Sequence, residues 1–195
     1  MKSYYKILLS AFLVVSIISC ENDRQIVAAL SNKKLGVEEG NNIESYMSTA
    51  GKLKAKLTAP YMIRQQLDSA KTEFTKTLNV QFYDSLLRPE SFLFAKYGKY
   101  LEFNNTVLLK DSIVVYNIKK DTLWCNDLLW NQTTGKFYTD KPVVLSQDNE
   151  GVRQKIFARG MESDQDLKNF RLNFVGIIYN PNKNSFIIIK DSTQL

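Results

Sequence analysis

The chain of 195 residues contains no histidine. Without an imidazole, Ser-His-Asp and Cys-His catalysis are excluded, and so are zinc sites built on histidine ligands. Its two cysteines, Cys20 and Cys125, are too few for a thiolate metal site. Neither a glycine-rich phosphate loop nor a G-x-S-x-G motif occurs. The sequence therefore predicts no enzymatic activity, no metal and no other cofactor.

Glycine and proline are also scarce, with 8 and 4 copies. This excludes a low-complexity or linker-like chain. Hydrophobic residues make up 44% of the sequence and aromatic residues 12%. A chain of this length and composition is typical of one folded domain with a real core.

The first twenty residues resemble a bacterial lipoprotein signal. Lys2 and Lys6 precede an apolar run that ends in Ile17-Ile18-Ser19-Cys20. The run is shorter than the ~20 residues that span a bilayer, so a secretory signal is favoured over a transmembrane anchor. An ordinary secreted protein with a chance cysteine is the alternative. We expect residues 1–19 to be a signal peptide and Cys20 to carry the lipid.

A lipid anchor determines where the chain acts. Two or more acyl chains hold a protein stably on a membrane, whereas one does not. Residues 20–42 are polar and are predicted to be a flexible tether, and the folded domain is predicted to span 43–195. The formal net charge of +6 is scattered, which suits either an anionic lipid surface or plain solvation. A protein outside the cytoplasm is not expected to bind nucleic acid.

Short alternating strands dominate the rest of the sequence. Leu53, Ala55 and Leu57 alternate with lysines and a threonine, and Pro60 is expected to end that strand or make it an edge. Residues 61–74 are ambiguous between helix and strand. Turn residues then recur every 8–12 residues, including Asn104-Asn105, Lys110-Asp111 and Gly160. The pattern predicts an all-β meander, sandwich or open barrel.

Many of these strands are apolar on both faces. Phe92 and Phe94 lie on one face of their strand and Leu93 on the other, whereas a sheet with one solvated face should alternate. One account is a sandwich whose outer face is partly covered. The other is a hydrophobic trough for an apolar ligand. The pattern alone leaves both open.

Four stretches in order resemble the LptC family of lipopolysaccharide export proteins. The match runs from about Ile43 to Leu172, most of the chain after the signal, although Ala158 and Cys125 depart from the usual glycine and threonine. The four stretches are Thr49–Pro60, Thr122–Asn131, Tyr138–Val143 and Gly160–Leu167.

This resemblance implies a twisted, open β-jellyroll with stacked antiparallel sheets. Such a protein carries lipopolysaccharide without catalysis, from an inner-membrane ABC transporter to a soluble periplasmic β-jellyroll protein. The anchor would then hold the chain at the periplasmic face of the inner membrane, with the outer membrane as the alternative. The N-terminal edge (48–58) is expected to face the transporter. The C-terminal strands (170–174 and 186–189) are expected to face the bridge protein.

Six apolar positions are candidates for contact with acyl chains, although plain core packing is an equal alternative for each. They are Phe94, Val115, Leu129, Val144, Phe157 and Phe174. Trp124 and Trp130 are expected to pack in the core, with stacking on sugars as the alternative.

Two other functions compete with the carrier. The first is an envelope lipoprotein that serves only as a scaffold, with a fully packed interior. The second is a glycan hydrolase that uses the carboxylates of Glu162, Asp164 and Asp166, although a solvated turn that joins two strands is the favoured explanation of this cluster.

Overall fold

The computed structural model describes residues 36–66, 70–149 and 151–188. These residues form a 12-stranded sheet, and each recorded pairing from β2 to β12 is antiparallel. The predicted all-β, jellyroll-like fold is confirmed. The strands are β1 (Val37–Thr49), β2 (Lys52–Gln65), β3 (Lys71–Phe74), β4 (Leu78–Tyr83), β5 (Pro89–Ala95), β6 (Tyr97–Leu101), β7 (Thr106–Asn117), β8 (Thr122–Asn131), β9 (Lys136–Asn149), β10 (Val152–Asp164), β11 (Phe170–Asn180) and β12 (Ser185–Ile188).

A line of interruptions crosses this sheet. In β7, Asp111 and Ser112 stand opposite one residue of β8, and both have positive φ angles of 62° and 50°. The register also shifts within β8, β9 and β10. On the other side of β7, Lys96 separates β5 from β6, and its N–H donates to the Asp111 carbonyl at 3.1 Å. Because a bulge bends its strand, aligned bulges fold the sheet along one line.

The fold line divides the sheet into two leaves. The first leaf contains 55–58, β4, β5, 113–117, 122–125, 143–149, 152–158, 175–180 and β12. The second leaf contains 63–65, β3, β6, 106–110, 128–131, 136–139, 161–164 and 170–172.

The two leaves pack face to face. Phe82 of the first leaf meets Trp130 of the second with ring centroids 5.1 Å apart and an edge-to-face angle of 89°. Phe82 also meets Phe137, at 5.9 Å. Edge-to-face pairs of this kind contribute about 0.5–1.5 kcal/mol each beyond the area that they bury. The core therefore lies between the leaves.

Strand β2 shows how the sequence places side chains in this core. Ala55, Leu57 and Ala59 are buried, whereas the alternating Lys54, Lys56 and Thr58 face outward. Full burial of a leucine side chain contributes about 1.5–3 kcal/mol. The same alternation recurs in β4, β5 and β8.

The strand ends differ from the predicted ones at several places. Strand β1 begins at Val37, before the predicted start of the domain near residue 43, so residues 37–42 are strand rather than tether. The ambiguous stretch 61–74 contains the end of β2 and all of β3. Pro60 does not end β2, because it lies between the residues that pair with β4 and those that pair with β3. Neither of these two ladders includes Pro60, so its missing N–H interrupts neither.

Two predicted turns are bulges. Lys110-Asp111 does not reverse the chain but lies inside β7. Gly160 lies inside β10, where its φ of 78° accommodates the bend. Bulges and tight turns both favour residues that tolerate positive φ, so the sequence does not distinguish them.

Candidate functional site

One continuous row of apolar side chains lines the inner face of the first leaf. Each member pairs across strands with the next, so the row crosses seven consecutive ladders. All are buried except Ile178, which is half-buried. We name it the inner row: Leu57, Val80, Leu93, Val115, Leu123, Leu145, Ile156 and Ile178.

A second apolar row lies on the opposite face of the same strands. Its members are partly exposed, and Ile188 is the most exposed at 67%. Lys155 Nζ lies 6.0 Å from the ring centroid of Trp124. We name it the outer row: Phe94, Val114, Trp124, Val144, Phe157, Ile177 and Ile188.

The six predicted acyl-contact residues do not share a face. Val115 belongs to the inner row and is fully buried. The other five, Phe94, Leu129, Val144, Phe157 and Phe174, alternate with buried neighbours on their strands or are exposed, and none belongs to the described core. One lining of the space between the leaves cannot contain all six. Both faces of these strands are apolar, so hydrophobicity alone does not identify the inner face.

The two tryptophans also lie on opposite faces of the sheet. Trp130 is 1% exposed and packs in the core as predicted, whereas Trp124 is 38% exposed on the outer row. The prediction that both pack in the core is therefore wrong for Trp124.

A cavity of about 730 Å³ opens at one end of the interior. It lies between the β1–β2 hairpin and the β8–β9 turn, with Trp130 and Ala55 among the core residues that reach it. In the middle of the interior, by contrast, Phe82, Trp130 and Phe137 fill the space between the leaves. The cavity is lined by Tyr46, Met47, Ser48, Thr49, Lys54, Ala55, Asn105, Trp130, Gln132, Thr133, Thr134, Gly135 and Gln165.

The β10–β11 turn fastens the two leaves together. Residues 165–169, which we name the clasp turn, follow the second leaf and contact the first. Ser91 Oγ donates to the Gln165 carbonyl at 2.6 Å, and Asn117 Nδ2 donates to the Asp166 carbonyl at 3.0 Å. Leu167 inserts its side chain into the core and is 3% exposed. Sequence reasoning missed this contact, since neither Ser91 nor Asn117 stands out in a strand pattern.

The acidic residues around the clasp turn are paired with polar groups. Glu162 lies 2.6 Å from Lys136 Nζ, whose hydrogen bond and charge lower the pKa of the Glu162 carboxyl. Asp164 accepts a hydrogen bond from Asn169, and Asp166 lies 2.7 Å from Lys168 Nζ. Within residues 36–66, 70–149 and 151–188, no group of His, Cys, Asp and Glu is arranged to hold a metal ion. Nearby lysine and asparagine side chains thus hold these three carboxylates.

Cys125 lies on the inner face of β8 and is 8% exposed. Burial, and then the charge of Asp127, raises the pKa of its thiol to about 12. A thiol in this state is neutral at physiological pH and is a poor nucleophile.

The predicted signal peptide and Cys20 lie outside the described residues. In the part of the chain that the structure covers, no helix has the length and apolar character to cross a bilayer.

A family model described as lipopolysaccharide-assembly, LptC-related, matches residues 7–174. No curated protein matches the chain. The matched region contains both hairpins at the cavity, the inner row from Leu57 to Ile156 and the clasp turn. The chain therefore belongs to the LptC-related family of lipopolysaccharide-assembly proteins.

Proposed function

We propose that the protein is a non-catalytic carrier that takes lipopolysaccharide from an inner-membrane ABC transporter and passes it along a periplasmic β-jellyroll bridge. Membership of the family supports a role in lipopolysaccharide transport. The observation that carries the finer proposal is the inner row, an unbroken apolar path across the first leaf and facing the second.

The physical reason is the cost of exposing acyl chains to water. Each Å² of exposed apolar surface costs about 25 cal/mol, so several acyl chains need a continuous apolar path. In this proposal, the chains enter between the leaves and replace contacts between Phe82, Trp130 and Phe137 across the core. The cavity between the β1–β2 hairpin and the β8–β9 turn is the point of entry in this proposal, since the core residues Ala55 and Trp130 border it.

The two ends of the sheet suit docking by strand addition. Among the described residues, β1 pairs with β2 alone and β12 pairs with β11 alone. Phe186, Ile187 and Ile188 of β12 are each more than half exposed. An edge of this kind is an aggregation hazard unless a partner covers it. We assign the β1–β2 end to the transporter and the β12 end to the bridge protein.

The anchor completes the proposal. Lipid on Cys20 would hold the carrier at the periplasmic face of the inner membrane, beside the transporter. Fractionation of the two membranes, with Cys20→Ser as the control, tests this assignment. Recovery of the lipidated protein from the outer membrane would contradict it.

In-cell photo-cross-linking tests the carrier. A benzoyl-phenylalanine probe replaces Phe82, on the inner face, or Phe92, on the outer face of the neighbouring strand. Both sites carry a phenylalanine ring, so the probe adds the same benzoyl group at each position. We expect lipopolysaccharide to be captured at position 82 and not at position 92.

The same experiment tests the alternative of a scaffold. The filled middle of the interior fits a scaffold with no lipid ligand. Absence of lipopolysaccharide at position 82, in a folded and anchored protein, would replace the carrier with the scaffold. Probes at the exposed Lys54 and Phe186 test the two ends. We expect the transporter at the first position and the bridge protein at the second.

A further inference from the structure

The outer row has a parallel neighbour on the same face of the first leaf. Its members pair from strand to strand between β2 and β12, one step along each ladder from the outer row. Four of them are aromatic, and the rings of Phe92 and Tyr116 stack with centroids 5.0 Å apart. We name it the flanking row: Lys56, Gln81, Phe92, Tyr116, Thr122, Ser146, Lys155, Tyr179 and Phe186.

Together the two rows leave aromatic surface open to solvent. Trp124 is 38% exposed, Phe157 39% and Tyr116 42%. The core does not need these rings, because the inner row on the opposite face of the same strands fills it. Continuous exposed apolar surface on a folded domain usually marks a place where something binds. The outer face of the first leaf is therefore an interaction surface.

The charges on this face indicate the kind of partner. Neither the outer row nor the flanking row contains a carboxylate, whereas the flanking row contains Lys56 and Lys155. At the margin, Lys56 Nζ is paired with Glu44 of β1 at 2.9 Å. Lys155 Nζ instead lies 6.0 Å from the centroid of the exposed Trp124 ring. Exposed Trp and Tyr rings beside a cation are complementary to the headgroup region of an anionic bilayer.

The chain before β1 limits how far this face lies from a membrane. Residues 21–36 connect Cys20 to Val37, and a stretch of this length spans at most about 60 Å when fully extended. In the proposed function Cys20 carries the lipid, so the domain stays within that distance of the bilayer. A tether makes a weak surface contact intramolecular and raises its effective concentration. A face with few cations is then sufficient.

We propose that the outer face of the first leaf lies on the headgroup region of an anionic phospholipid bilayer, with Trp124, Tyr116 and Phe157 at the headgroup level and Lys155 beside the lipid phosphates. The proposal goes beyond the carrier function and rests on it for the anchor. It gives the two apolar faces of these strands separate roles, since the inner row faces the second leaf and the outer face meets the membrane. The contact uses a face rather than an edge, so the backbone groups of β1 and β12 remain free to pair.

The two tryptophans of the chain supply the test, since Trp124 lies on the outer face and Trp130 in the core. The full chain, purified from membranes, is placed at one copy per nanodisc of phosphatidylcholine and phosphatidylglycerol. One lipid is brominated near the carboxyl end of an acyl chain, and bromine quenches an indole that it contacts. In Trp130→Phe, we expect Trp124 emission to be quenched as phosphatidylglycerol is added. In Trp124→Phe, we expect Trp130 emission to stay unchanged. If Trp130→Phe fails to fold, the difference between the native chain and Trp124→Phe gives the same quantity.

Charge reversal at Lys155 tests the role of the cation. Lys155→Glu should weaken the contact at least about fivefold, so more phosphatidylglycerol is needed for half-maximal quenching. Lys76 is a matched control, since its Nζ lies 5.5 Å from the Tyr61 ring centroid in the β3–β4 turn, outside both rows. Lys76→Glu should leave the quenching curve in place. Equal shifts in the two variants would show that net charge alone matters and would overturn the proposal.

The remaining outcomes separate this face from the proposed function. Unquenched Trp124 emission in a chain that remains in the disc would overturn the proposal and leave the anchor intact. A chain absent from the disc fraction would refute the anchor and the membrane contact together. Trp124 emission that moves to shorter wavelength only when two copies share a disc would assign the face to a second copy and overturn the proposal. Capture of lipopolysaccharide at position 82 is measured separately, so the carrier stands or falls independently of these results.

Discussion

Ser91 Oγ donates a 2.6 Å hydrogen bond to the backbone carbonyl of Gln165, which is 74 positions away in the sequence. Ser91 is fully buried on the inner face of β5. Gln165 begins the clasp turn, and its own N–H donates to the Gly135 carbonyl at 3.2 Å. A single residue thus connects the first leaf to the turns at the end of the second. Hydrogen bonds of this kind hold the two leaves together at this end.

The substitution Ser91→Ala should weaken the contact between the first leaf and the clasp turn. It leaves the Gln165 carbonyl without its donor in a buried place, which should lower the free energy of unfolding by about 1–3 kcal/mol. Urea unfolding measures the change, and amide hydrogen exchange in residues 165–169 should become faster. Ser85→Ala, at an exposed turn, is the control and should change little. Equal stability of the two variants would show that the bond contributes nothing.

Leu167 should contribute more than Ser91 to the free energy of unfolding, because its whole side chain is buried in the core. It has a φ of 57° and is 3% exposed. Leu167→Ala should lower the free energy of unfolding by about 2–5 kcal/mol. Leu87 provides a matched control, since it has a φ of 61° but is 57% exposed. Because alanine keeps the Cβ, the strain of the positive φ is unchanged in both variants, and a similar loss for Leu87→Ala would show that burial of Leu167 is not the cause.

The clasp turn should also make stability depend on pH. Burial by itself raises the pKa of the Asp166 carboxyl, but hydrogen bonds from the Lys168 side chain and backbone outweigh it, so the pKa is lowered. The Lys168 ammonium pairs with Asp166 and Glu90, and both raise its pKa. A carboxyl with a lowered pKa in the folded state stabilises the protein above its unfolded value of about 3.9, and this is lost as pH falls.

Asp166→Asn tests that dependence, because the amide oxygen can still accept from the Lys168 N–H. We expect the variant to be less stable than the native protein at pH 7. The difference should shrink as the pH falls from about 5 towards 2. Thermal unfolding across this range gives both curves. A difference that is constant with pH would exclude the carboxylate charge as the cause.

Gly160 should tolerate no side chain. A Cβ there would lie 2.5 Å from Asn173 Nδ2, and the φ of 78° is in the left-handed region. Gly151 has nearly the same φ, 79°, but no described atom within 4 Å of a Cβ. Gly151→Ala should show the conformational cost alone, about 1–2 kcal/mol. Gly160→Ala should lose more, and adding Asn173→Gly should recover the excess. Chemical denaturation of the three variants measures the difference.

The rate at which Cys125 is alkylated should measure how readily the core opens. Its raised pKa and burial predict that an alkylating reagent at pH 8 modifies it slowly in the native protein. Cys20→Ser leaves it as the one thiol in the chain. Modification should accelerate many-fold in denaturant, and mass spectrometry follows it. Rapid labelling of the native chain would show that β8 opens readily.

The sequence predicted the strands well because one inner residue alternates with one outer residue over most of β2, β4 and β8. It did not predict which face is inner. Across the fold line, the buried positions of β8 change from Leu123 and Cys125 to Leu128 and Trp130, so no single alternation describes that strand. The sequence did not predict the cavity either, because its lining comes from the β1–β2 hairpin and the β8–β9 turn, which lie far apart in the chain. Pairs such as Ser91 and Gln165 depend on how the leaves close, which local pattern does not encode.

The order of the ladders has a consequence for how the chain acquires this fold. Apart from the breaks at the fold line, each strand pairs with the strand next to it in the chain. Hairpins of this kind can form one after another, and local pairing favours rapid folding. The contacts of the clasp turn with Ser91 and Asn117 close loops of 74 and 49 residues. We expect the clasp turn to join last, so that the nascent sheet remains open along one side until synthesis of β10 is complete.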